Sequence, residues 1–374
     1  MRQRHHIMKV TALTGAAALM LTACGNGDGG GGDDDGGDGE SYSIGVTQIV
    51  SHPSLDAARD GFKSAFEEAD VEVEWDEQNA QGEQATATNI AGTFANADLD
   101  LVLAIATPTA QAAAQAIDDT PIVFTAVTDP EEAGLVDSWD EPGGNITGTS
   151  DMNPVQEQLE LLQEIDPDAE TVGIVYSSGE ANSQVQVDMA KEAADELGLE
   201  IEESTVTTSA EVQQGLQSLD VDAVYVPTDN VVVSALETVI QYGEDNELPI
   251  IAAEGDSVTR GAVATYGINY EKLGQQAGEM ALRVLQDDED PASMAVEEQS
   301  ELELYINPEA AEAQGIEISD DLLDRADVVV GEDVEAQDPA EAGEEEEEED
   351  DEDSEDEDAE DEGAEDEEAE DDDS

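Results

Sequence analysis

The chain has 374 residues, room for two domains with cores of their own, and carries 98 Asp and Glu against 10 Lys and Arg, a formal net charge of −88. That balance excludes a nucleic-acid binder, which needs a basic face for phosphates, and it excludes polybasic adhesion to anionic lipid. A single cysteine excludes an intramolecular disulfide and a cysteine-based zinc site, and with 3% aromatic residues the core must be aliphatic.

In chain order, Arg2, Arg4 and Lys9 precede a short apolar stretch at 10–21, too short to span a bilayer. It ends in Leu21-Thr22-Ala23-Cys24, which resembles the lipobox of bacterial lipoproteins. The resemblance implies that residues 1–23 are a signal peptide and that Cys24 is lipidated. Residues 24–40 read as a flexible Gly/Asp tether. Residues 331–374 hold 30 acids and no base, an acidic tail expected to stay disordered. The stretch between, 41–330, keeps 62 acids against 7 bases. Such a surface repels itself in ordinary salt, and at molar salt, with a Debye length of about 3 Å, the repulsion is screened. The composition therefore suits a protein working outside a salt-loving cell; solubility alone is the plainer alternative.

Within 41–330 short apolar runs alternate with helical periodicity. Strand 43–50 leads to helix 55–69, strand 71–75 to helix 85–96, strand 100–106 to helix 109–117, and strand 122–127 closes the first set. After a polar joint at 143–153 the pattern restarts with helix 155–165, strand 172–176, helix 182–197, strand 200–206 and helix 210–219. Strand 223–227, helix 231–244 and strand 249–253 complete it. The alternation predicts an α/β fold of two Rossmann-like lobes with parallel sheets joined by a hinge. One lobe spans 41–150 and is completed by about 268–298. The other spans 151–267 and is completed by about 299–330. Hinges are expected near 148–153 and 267–270.

In open α/β sheets a ligand sits at the carboxyl ends of the strands. Those ends supply Gln48, His52, Thr107, Thr109, Thr125 and Asp129 in the first lobe. In the second they supply Ser178, Glu180, Ala181, Asn182, Thr228, Asp229, Asn230, Glu254 and Asp256. Small hydroxyls, amides and acids suit a small polar molecule held by many hydrogen bonds.

Nine segments, among them LAIATPTAQAAA, PIVFTAVTDPEEAGLV, YSSGEANSQVQV, VYVPTDN and GAVATYGINYEKLGQQAGEMA, resemble the substrate-binding proteins of an ABC-importer family linked to aromatic amino acids. The resemblance covers about 42–318. It implies a type I periplasmic-binding fold, a solute handed to an ABC permease and its ATPase, and an extracytoplasmic, lipid-anchored location. No cofactor motif, no metal-spaced His/acid pair and no nucleophile–base pair is present, so no enzyme and no metal site are expected. His52, ahead of Pro53, reads as lining the cleft or starting a helix. Asp229 and Asn230 can cap a helix as well as meet ligand. An amino acid's ammonium would meet Asp256 first, or Asp229 or Glu254. Its carboxylate would meet helix N-termini at 107–109 and 178–182. A surface sensor signalling to a partner and a polyanionic cation-binding protein remain alternatives.

Overall fold

The computed structural model describes residues 41–299 and 301–331. The leader, Cys24, the tether and the acidic tail lie outside the described residues. The first set of elements is β1 (Ser41–Gln48), α1 (Pro53–Glu68), β2 (Glu72–Asn79), α2 (Gln84–Phe94), β3 (Leu101–Ile105), α3 (Thr107–Ala116), β4 (Ile122–Thr125) and β5 (Ile146–Ser150). The second is α4 (Val155–Ile165), β6 (Thr171–Ser177), α5 (Ala181–Leu197), β7 (Glu200–Val206), α6 (Val212–Leu216), β8 (Ala223–Val226), α7 (Asn230–Val233), α8 (Leu236–Asn246), β9 (Ile250–Ala252), α9 (Gly255–Thr259) and β10 (Ala264–Gly267). The chain then returns with α10 (Tyr270–Gln286) and β11 (Glu297–Glu298), and crosses again to β12 (Glu303–Ile306), α11 (Pro308–Ala313), α12 (Asp320–Arg325) and β13 (Val328–Val329).

Two sheets result, ordered β11-β5-β4-β3-β1-β2 and β13-β12-β10-β9-β8-β6-β7. Their central strands bury side chains on both faces. All five residues of β3 are buried, as are all four of β8, which explains their unbroken apolar sequences. In the first lobe, α10 lies along α1. Leu273, Ala277, Met280 and Ala281 join Phe62 and Phe66 in one core. The two helices approach so closely that a Cβ at Gly61 or Gly274 would run into the backbone of the other helix. The second lobe has one cluster on each side of its sheet.

The structure departs from the sequence reading at four places. The polar joint contains a fully buried strand, β5, so residues 148–150 are paired in a sheet rather than free to bend. Its hydroxyls are satisfied internally: Thr147 donates to the Met294 carbonyl, Thr149 to Thr125 and Ser150 to the Thr128 carbonyl. The helix expected over 231–244 breaks into α7 and α8. Ser234 donates its hydroxyl back to the Asn230 carbonyl in a β-branched stretch, an arrangement that bends helices. The helix over 210–219 shrinks to α6 behind a single 3₁₀ turn, Ser209–Glu211. Finally, β12 runs antiparallel to β10, with Gly267 opposite Glu303. The chain leaves the second sheet and re-enters it at the same end, so the returning strand must run the other way.

All seven basic residues of the folded body are ion-paired. Arg59 reaches Asp56, Asp60 and Glu77; Lys63 reaches Glu77; Lys191 reaches Asp188 and Glu203. Arg260, Lys272, Arg283 and Arg325 pair with Glu237, Glu303, Glu297 and Glu164. Most of the remaining surface acids have no basic partner among the described residues. Raising KCl from about 0.1 M to about 1 M shortens the screening length from about 10 to about 3 Å. The melting temperature should climb through that range, followed by circular dichroism. A melting point that is flat or falls with KCl would contradict the charge argument.

Candidate functional site

The carboxyl ends of the strands of both sheets meet across one cleft. The space enclosed there is about 20 Å³, room for about one water. Both lobes line it: His52, Ala106, Ala126 and Thr128 from the first, and Asn182, Thr228, Asp229, Asn230 and Glu254 from the second, with Asp151 and Tyr270 from the connecting segments. A second hollow of about 470 Å³ lies toward β2 and β7, bounded by Gln81–Gln84 and Pro108 on one side and Glu180, Thr207 and Asn230 on the other. It shares Asn230 with the inner cavity and opens the cleft outward.

On the first lobe two alanines carry unusual backbone. Ala106, at the end of β3, has φ 79° and ψ 152°, a region that glycine alone normally occupies. Ala126, at the end of β4, has φ 57°. Ala106 turns the chain so that α3 begins beside the cavity. The amides of Thr107 and Thr109 fall in its first turn, where no intrahelical acceptor exists. The Thr107 hydroxyl is buried without a partner, whereas Thr109 spends its hydroxyl on the Ala106 carbonyl at 2.9 Å.

Asp151, the first residue after β5, is 3% exposed. Its two oxygens accept from Thr128 and from the Tyr270 hydroxyl, each at 2.8 Å. No cation touches it, and burial pushes its carboxyl up from the ordinary range. Glu254 caps α9 through the Ser257 amide at 3.1 Å and accepts across the cleft from Ser54 at 2.9 Å. Thr128 and Thr228 meet across the same gap at 3.3 Å. These bonds hold the lobes together in this conformation.

Asp229 caps α7 through the Val232 amide and also accepts from the Ser177 amide and the Ser183 hydroxyl. Its oxygens are thereby committed to the protein. Glu180 accepts from Asn182 and from the side chain and amide of Asn230, all at one oxygen. Burial, reinforced by the neighbouring Asp229 charge, pushes its carboxyl up to about 7. His52 is pushed the other way, to about 4, by burial and by the Arg260 guanidinium, so its ring is neutral.

The other residues named from sequence sit elsewhere. Gln48 braces the turn after β1, donating to the Val50 carbonyl and to Asp56. Thr125 accepts from Thr149 between strands, and Asp129 receives the amides of Glu131 and Glu132. Ser178 is exposed, and Ala181 opens α5 without lining the cavity. Asp256, the first choice for an ammonium on sequence grounds, is also absent from the lining; it lies in the first turn of α9, near Ser54 and Arg260. The sequence reading did not single out Asp151, Tyr270, Ala106 or Ala126. For Asp151 the signal was present: it is the carboxylate that follows a strand, hidden because that strand was read as a joint.

Glu180 offers a direct test of these electrostatics. Its ordinary value is 4.5 and its folded value about 7. The folded state therefore holds its proton more tightly, and stability is lost as pH rises from 4.5 through 7. Glu180→Gln removes that loss. The variant should be the more stable protein at pH 7.5, with the difference shrinking toward pH 4.5, in denaturant melts at high salt. The opposing effect of His52, whose neutral ring stabilises above 6.5 and less so down to about 4, is common to both proteins and cancels. A pH-independent difference would mean that Glu180 is not held protonated by its site.

Comparison with known proteins agrees with this architecture. A family model described as ABC transporter substrate binding protein matches residues 43–330. A tyrosine-binding protein of Clostridioides difficile is 41% identical over 317 residues, covering 82% of this chain and 92% of that protein. A Streptococcus structure in complex with L-Trp superposes with a TM-score of 0.75 at 36% identity, covering 78% of this chain and all of that one. A ligand-free, open substrate-binding protein with adhesive properties from Clostridium difficile is more similar in sequence, 43%, yet scores 0.60 over 77% of this chain and 99% of that one. The lower score at higher identity places the lobes here nearer to their arrangement in the L-Trp complex than in the open protein. The two-lobed fold, the cleft and the match over nearly all of the folded body put this chain in the ABC transporter substrate-binding protein family, whose members bind a solute and are not enzymes.

Proposed function

We propose that this protein captures an amino acid, tyrosine or tryptophan being the first candidates, and delivers it to an ABC permease. The relatives that bind tyrosine and L-Trp support the solute class. One observation in the cleft carries the reading: Asp151 is a buried carboxylate with hydroxyl partners and no cation, at a cavity into which only His52, kept neutral, brings a basic side chain. An α-ammonium supplies the missing positive charge, with Glu254 close by. The α-carboxylate then faces the first turn of α3, where unpaired amides, the helix dipole and the Thr107 hydroxyl favour an anion. Because the enclosed space holds about one water, the lobes must part to admit a solute and close again over it.

Asp151→Asn keeps the shape and removes the charge. Truncating one partner of a buried charge pair costs about 2–5 kcal/mol, roughly 30-fold to several thousand-fold in affinity. Titration calorimetry with L-tyrosine and L-tryptophan in molar salt should show that loss, while Asp256→Asn stays within a few-fold of the parent. The reverse ranking would move the ammonium to Asp256.

The protein is proposed to be held outside the cytoplasm by lipid on Cys24, in a salt-rich medium that its charge suits. The lipobox-like Leu21-Thr22-Ala23-Cys24 supports the anchor; among the described residues no helix is long and apolar enough to cross a membrane. Cys24→Ser should shift the protein from the membrane fraction to the medium or to an unprocessed precursor. Unchanged processing and fractionation would remove the anchor.

A further inference from the structure

The cleft has two ends of different chemistry. Sheet order sets them apart: β4, β5 and β9, beside the lobe crossings, bring Ala126, Asp151 and Glu254, whereas β1, β6 and β8, farther out, bring His52, Asn182 and Asn230. The inner end is the place of the amino-acid headgroup in the reading above. The outer end holds two buried polar atoms that the protein leaves without a partner, Asn182 Oδ1 and His52 Nδ1.

The acceptor character of Asn182 Oδ1 follows from its neighbours. The Asn182 Nδ2 atom lies 3.1 Å from Glu180 Oε2, 2.8 Å from the Thr228 carbonyl and 3.4 Å from Ser183 Oγ. A carboxylate and a carbonyl demand a donor there, which fixes the amide's orientation and leaves Oδ1 as the unpaired atom. Asn182 is 4% exposed, so water does not compensate freely. His52 Nδ1 is likewise buried without a partner, and in a neutral imidazole whose proton sits on Nε2 that nitrogen presents a bare lone pair. Leu55 and Val233 line the same cavity and give it apolar walls.

The geometry points to His52 and Asn182 as specificity-determining residues that select an amino acid whose apolar side chain ends in a hydrogen-bond donor. A phenol O–H or an indole N–H supplies that donor. A phenyl ring supplies none and leaves the buried Asn182 acceptor unpaired. A site built to hydrogen-bond a ligand group rejects the analogue that lacks it far more strongly than an apolar pocket rejects a missing methylene. This selection rests on the amino-acid reading of the cleft and goes beyond it by naming what distinguishes one aromatic solute from another.

The test is a ligand series on the mature protein in molar salt, by calorimetry: L-tyrosine, L-tryptophan, L-phenylalanine and 4-fluoro-L-phenylalanine. L-tyrosine or L-tryptophan should bind at least about tenfold more tightly than both donor-free rings. His52→Leu and Asn182→Ala should each weaken tyrosine or tryptophan by a larger factor than phenylalanine and so narrow that ratio, because a ring without a donor makes no bond there to lose. Two results overturn the inference while the headgroup reading stands: all four ligands binding within threefold of one another, with Asp151→Asn still abolishing binding; or His52→Leu weakening tyrosine and phenylalanine equally, which would mark a structural role. Failure of every amino acid to bind overturns both readings, and the Asp151→Asn comparison tells these cases apart.

Discussion

Four buried carboxylates at the cleft of this protein are held by N–H and O–H donors, and among the described residues none of them is paired with a cation. Asp151 has two hydroxyls, Asp229 two amides and a hydroxyl, Glu180 two asparagines, and Glu254 two serines. The composition leaves little choice, since the folded body has seven basic residues and all seven form ion pairs. Buried carboxylates without counter-charges raise their own proton affinity, which is the direction found for all four. A site of this kind is short of positive charge until a ligand brings it. The acid-rich composition that marks the surface thus extends into the cleft, where, in the proposed reading, it sets the sign of the solute group that can be accepted.

The same hydrogen bonds govern motion. Ser54–Glu254 and Thr128–Thr228 cross between lobes, and each is broken when the cleft opens. Neutral hydrogen bonds exchanged for water contribute only about 0.5–1.5 kcal/mol apiece, and one to a charged acceptor somewhat more. Two such contacts bias the lobes toward closure without locking them. A solute that touches both lobes shifts the equilibrium by its differential affinity for the closed form. The three chain crossings, after β5, after β10 and between Glu298 and Glu303, lie at the same end of both sheets, where the proposed opening would turn.

Much of the fold was legible because buried parallel strands write themselves as unbroken apolar runs and their helices as 3.6-residue stripes. Helix 155–165 and strand 200–206 coincide with α4 and β7 to the residue. What escaped was β5, a buried strand of Thr, Gly and Ser. Its burial depends on hydroxyls finding partners in other segments, Met294 among them, and no local pattern encodes that. The antiparallel β12 escaped likewise, because it follows from where the chain re-enters the sheet. For the site, the strand-end rule gathered Asn182, Asp229, Asn230 and Glu254, all now at the cavity. It could not tell a carboxylate that caps a helix and lines the cavity, as Glu254 does, from one two residues on that stands off the lining near Ser54 and Arg260, as Asp256 does. That distinction lies in side-chain direction, fixed by the first turn of α9.

The least legible feature is the most instructive about how the site is held. Ala106 and Ala126 take left-handed or more extreme backbone at the cleft, conformations that cost a non-glycine residue on the order of 1–3 kcal/mol each. Glycine would adopt them without strain, yet it would also let the peptide planes rock among many alternatives. An alanine forced into the same geometry by β3 and β4 on one side and α3 on the other holds its peptide planes in a single direction. At Ala106 this fixes where α3 begins beside the cavity. The strain is sustained by the all-buried strands around it, whose five and four core residues leave the backbone no room to relax. The placing of the α3 turn at this cleft is therefore a property of the sheet core, transmitted through a strained residue that carries no functional group of its own.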